Sequence, residues 1–99
     1  MQLYRAVSFA ELQDIRAHGG AFRDSRNKTG EKAFFYDLES AMQFAASMQR
    51  MLDEAHVVVR TEASSTAIEC GRLHTAAREG PGVYLLISDL DQLTAAVEV

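Results

Sequence analysis

Arg5, with Tyr4 before it and Phe35 and Tyr36 in an aromatic run, is the residue of this 99-residue chain best suited to ligand chemistry. A guanidinium is a rigid, permanently charged fork that fits a phosphate or a carboxylate, and an aromatic neighbour adds a stacking surface. If the fold brings Arg5 and Tyr36 to one cleft, Tyr4 should flank them. A second cationic group, Arg23, Arg26 and Lys28, sits in a polar, glycine-punctuated stretch and suits a phosphate or an acidic partner. Met42, Met48 and Met51 with Phe44 give an apolar helix surface wider than one buried side needs. Methionine fills irregular core gaps, but it also adapts to partner surfaces, which makes Met51 a partner-binding candidate.

Other constellations carry less chemistry. Cys70 and His74 are four apart, the spacing that lets an imidazole activate a thiolate on a helix, but Gly71 between them weakens that helix. His18, His56 and His74 show no zinc-type spacing, so no metal is expected, and His18 is placed to meet the last carbonyls of a helix. Ser88, Asp89 and Asp91 read as helix capping rather than a carboxylate pair. No dinucleotide fingerprint, phosphate-binding loop or metalloprotease motif is present.

The elements that must position these residues follow from patterning. A first strand is predicted over 3–7, then a helix over 9–18 headed by Ser8 and Glu11 in capping-box spacing, with Phe9, Leu12 and Ile15 inward. Gly19 and Gly20 close it, and 21–23 reads as a brief extended piece. The polar residues 24–31 form a loop, 32–36 a strand, and Asp37 caps a long helix over about 38–55. Met42, Ala45, Met48 and Leu52 of that helix, with Val57, Val59, Leu85 and Ile87, should be largely buried. Residues 56–63 form a strand, 66–70 extend the sheet, and 73–78 form a turn or two of helix. After the break at 80–82 come a strand over 83–87, a short helix capped by Ser88, and a last strand over 95–99. The fold class is α+β: a single domain over 1–99, a mixed or mostly antiparallel sheet of five or six strands, the long helix and one or two shorter ones packed on it.

Composition narrows the function. The chain is 47% hydrophobic and 24% charged, ordinary for a folded domain, with net charge −4. An acidic balance disfavours a nucleic-acid binder and is compatible with docking on a basic protein surface. A single cysteine precludes an internal disulfide, and neither a signal peptide nor an apolar run of the ~20 residues needed to span a membrane is visible. A cytoplasmic protein that does not enter membranes is the expectation.

The order Tyr4-Arg5, Ser8-x-x-Glu11-Leu12, Gly19-Gly20, polar loop, aromatic strand 34–36 and Leu38-Glu39-Ser40-Ala41 resembles small bacterial domains of the ADP-ribosyltransferase-like fold. Roughly the first half of the chain carries this likeness. It implies that Arg5 holds NAD and that residues 34–36 frame the nicotinamide. A Ser-Thr-Ser segment is missing there, and the late-strand Glu-x-Glu or Gln-x-Glu pair is missing too; Glu98 sits one residue from the C-terminus, and Glu62 and Glu69 are candidates only if residues 64–82 fold unusually. The resemblance thus speaks for fold more than for chemistry. The expected function is a small non-catalytic binding protein without a cofactor, an immunity or antitoxin-type inhibitor or an assembly subunit, with a protein partner. The alternative is a minimal NAD-dependent ADP-ribosyltransferase or NAD hydrolase.

Overall fold

Short-range signals set the junctions of the first half. The computed structural model describes residues 1–23, 31–74 and 82–99. Ser8 ends β1 (Gln2–Ser8), and its hydroxyl accepts a hydrogen bond from the Glu11 amide at 3.2 Å, capping α1 (Phe9–Ala17). The chain then turns through Gly19 and Gly20, both at positive φ, where the Gly20 amide donates to the Ile15 carbonyl at 2.8 Å. Asp37 caps α2 (Leu38–Leu52), its carboxylate accepting from the Ser40 amide at 2.9 Å. Asp53 takes a left-handed conformation and stops α2 three residues before the expected end.

β2 (Glu31–Phe35), β3 (His56–Glu62), β4 (Arg72–His74), β5 (Gly82–Leu86) and β6 (Val97–Glu98) join β1 in one six-stranded sheet ordered β4-β5-β2-β1-β3-β6. All ladders between these strands are antiparallel, and the α+β expectation holds. Side chains alternate across the sheet, so it has two apolar faces. One buries Leu3, Val7, Phe34, Val59, Val83 and Leu85 with Leu12 and Ile15 of α1, Ala67 of α3 (Ser65–Cys70) and Leu90 of a 3₁₀ helix (Ile87–Gln92). The other buries Ala6, Phe35 and Val58 with Ala41 and Ala45 of α2.

Several expectations need correction. Residues 66–70 are not sheet: Ser64 accepts from the Ala67 amide at 3.1 Å and starts α3. Of the helical turns expected over 73–78, residues 73 and 74 belong to strand β4 instead, and residues 75–81 lie outside the described residues. Leu86 rather than Ser88 precedes the 3₁₀ helix, no side chain caps it, and residues 21–23 form no strand. Only Val97–Glu98 of the expected last strand pairs. Phe9 is exposed, because at about 100° per residue it stands roughly 90° from the middle of the Leu12–Ile15 face. On α2, Met42 is 56% exposed, Leu52 is exposed at the helix end and Met48 is half-buried. The small residues Ser40, Ala41 and Ala45 face the sheet instead, since they let helix and sheet approach closely. Val59 and Leu85 are buried and Val57 half-buried, while the Ile87 side chain lies outside the described residues.

Candidate functional site

Arg5 lies on β1, in the interior of the sheet, on the face covered by α1. Its Nε and Nη2 donate to Glu11 Oε2 and Oε1 at 2.7 and 2.9 Å, a bidentate pair, and Nη1 donates to the Ala33 carbonyl at 2.8 Å. The guanidinium carbon stands 5.8 Å from the centre of the Phe34 ring. Lys32, only 5% exposed, brings Nζ to 3.8 Å from Glu11 Oε1. Burial by itself would raise the Glu11 pKa; the Arg5 hydrogen bonds and charge, helped by Lys32, outweigh it, and the carboxyl is held below its ordinary value. Capping-box spacing directs the Glu11 carboxylate to the Ser8 amide, yet it bonds Arg5. The cluster ties β1, α1 and β2 together.

The other ligand candidates divide. Tyr36 packs against the same apolar face as Arg5. Tyr4 and Phe35 lie on the α2 face, so Tyr4 does not flank that pair. The Tyr4 hydroxyl donates to Gln2 at 3.2 Å, and the Phe35 ring centre is 5.5 Å from that of Phe44. Strand period alone separates the four, because neighbours in a strand point to opposite sides. Of the candidate carboxylates, Glu62 is exposed on β3 and Glu69 exposed on α3, while Glu98 on β6 pairs with Arg16 at 2.8 Å. Cys70 ends α3, exposed, while His74 belongs to β4, so the two do not share a helix. Among the described residues no group of three side chains is arranged to hold a metal ion.

A shallow apolar groove of about 530 Å³ runs along one flank of α2, lined by Leu38, Glu39, Met42, Gln43 and Ala46. Leu38, Met42 and Ala46 recur every fourth residue and so form one row. The carboxylates of Asp37 and Glu39 are exposed at its N-terminal end. Met51, 76% exposed, is nine residues beyond Met42 and about half a turn round the helix, outside the groove.

A second cavity, about 630 Å³, opens between the turn after α1 and the segment from the 3₁₀ helix to Ala95. Its lining includes Gly19, Phe22, Arg23, Ser88, Leu90 and Asp91. Arg23 thus lines a cavity, whereas Arg26 and Lys28 lie outside the described residues. Sequence reasoning missed this cavity; the one local signal is Phe22, an aromatic between a glycine pair and a polar stretch. No family model, curated protein or solved structure matches the chain. No described helix is long and apolar enough to cross a membrane.

Proposed function

We propose that this chain is a small non-catalytic binding protein that docks a partner protein along the Leu38–Met42–Ala46 flank of α2. The observation that carries the reading is Met42, 56% exposed in an apolar groove on a helix whose sheet-facing side is already filled by alanines. An unbranched thioether moulds itself to an incoming apolar ridge at low steric cost. The Asp37 and Glu39 carboxylates beside the groove, and the net charge of −4, favour a partner segment whose apolar ridge is flanked by lysine or arginine. An inhibitor of the immunity or antitoxin type, or a subunit of an assembly, would use such a face. The NAD-enzyme alternative has less support, because three of the five N–H groups of Arg5 are engaged by Glu11 and Ala33.

The test is capture of a stoichiometric partner from native lysate by the wild-type chain, by Met42→Ser and by Met51→Ser. Loss with Met42→Ser but not with Met51→Ser supports docking on the flank. Retention by Met42→Ser, or no stoichiometric partner at all, ends the reading. In parallel, NAD at about 100 times its Kd would stabilise an NAD-binding fold by about 2.7 kcal/mol. A melting temperature unmoved by millimolar NAD would dispose of the alternative.

A further inference from the structure

The cavity beside Arg23 has the features of a preformed small-molecule site. Phe22 and Leu90, both buried core residues, form its floor, and its size falls in the ordinary range for ligand pockets of roughly 300–1,000 Å³. Its walls are fixed by backbone. Gly20, at φ +92°, approaches so closely that an added Cβ would lie 2.8 Å from the Ala95 Cβ, and the Ala96 amide donates to the Gly20 carbonyl at 2.8 Å. Behind that segment, the Thr61 hydroxyl donates to the Thr94 carbonyl at 2.7 Å.

The cation is held as well. His18 Nδ1 lies 2.7 Å from the Asp14 carbonyl, which can only accept, so Nδ1 carries the proton. In the neutral imidazole Nε2 is then the acceptor, and Arg23 Nη1 donates to it. Asp14 thereby orients His18, and His18 orients Arg23. Ser88 and Asp91 belong to the facing wall.

We propose that this cavity binds a small molecule joining one anionic group, carboxylate or phosphate, to an apolar or aromatic body. Arg23 meets the anion, and Phe22, Leu90 and Leu93 receive the body. Asp91 disfavours a second anionic group on the same ligand. The site is separate from the α2 flank and does not depend on the docking reading.

The experiment is an amide NMR titration with benzoate, phenyl phosphate and the neutral analogue benzyl alcohol, on wild type and Arg23→Gln. Arg23 is exposed, and unchanged benzyl alcohol binding by the variant shows that the cavity is intact. The expected result is saturable shifts at Gly19, Phe22 and Leu90, with Arg23→Gln weakening both anions about tenfold. A preference between the two anions then sorts a carboxylate ligand from a phosphate one. Shifts that do not saturate in the millimolar range, that map elsewhere, or that ignore the Arg23 substitution overturn the proposal.

Discussion

Glu11→Gln is the most informative single perturbation of this fold, because it removes one negative charge from between two cations and changes little else. In the wild type the Glu11 and Arg5 side chains are 17% and 19% exposed, and Lys32 is 5% exposed. Breaking a fully buried ion pair by neutralising one partner costs about 3–5 kcal/mol. Partial exposure and the retained amide oxygen reduce this to about 2 kcal/mol, a sizeable part of the roughly 5–15 kcal/mol that holds a small domain together. For this chain length that loss lowers the melting temperature by roughly 8–16 °C. The assay is urea unfolding followed by circular dichroism, at a series of pH values. Because the folded Glu11 pKa lies below its ordinary value near 4.5, its contribution is fully present above that value and fades as pH falls through the lowered folded one. The gap between wild type and Glu11→Gln should therefore be full at neutral pH and close in acid. Adding Arg5→Met to Glu11→Leu should cost less than the two single changes together, since neither Arg5 nor Glu11 is then left facing the other's absence. A Glu11→Gln variant within about 0.5 kcal/mol of wild type at neutral pH, or a gap that acid does not narrow, would refute the clamp.

Asp37→Ala removes the cap of α2 and should cost about 1 kcal/mol in the same unfolding assay. The Ser40 amide bond holds the Asp37 carboxyl below its ordinary value, so this loss too should shrink as pH falls through the folded value; an unchanged midpoint would contradict the capping geometry. Gly20→Ala meets both a positive φ and the Ala95 Cβ, and should cost more than about 1 kcal/mol, whereas Gly19→Ala, with open space around its Cβ position, should cost less; equal losses would falsify the close approach as the cause.

Elements whose signals are local were readable in advance. Ser8, the Gly19–Gly20 pair and Asp37 each act within a few residues, and each appears where the pattern put it. The failures have a common cause in distance along the chain. Thr66 and Ile68 are β-branched, which suggests a strand, but Ser64 caps a six-residue helix whose Ala67 is buried beneath the sheet. Such a helix is too short to show a period. Met42 outranks Ala41 in hydrophobicity, yet close packing selects the smaller residue. Glu11 sits where a capping box needs it, so its spacing concealed an ion pair with a residue on the preceding strand. The Arg23 cavity joins residues 19–23 to residues 88–95, and nothing in either stretch names the other.

β1 lies in the interior of the sheet, and that position sets a schedule for making the protein. Its Tyr4 waits for Phe35 on one side, and its Gln2 waits for Glu62 on the other. A ribosome adds roughly 5–20 residues each second, so the first strand emerges seconds before its second neighbour exists. During that interval Leu3 and Val7, later almost wholly enclosed, have no core to enter, and both backbone edges of β1 are open to other chains. Pairing over such sequence separation also slows folding relative to a domain built from local contacts. Slow synthesis or a pause before residue 62 therefore lengthens exposure of an aggregation-prone strand, and yield should respond more to substitutions in β3 than to equally destabilising ones in β6.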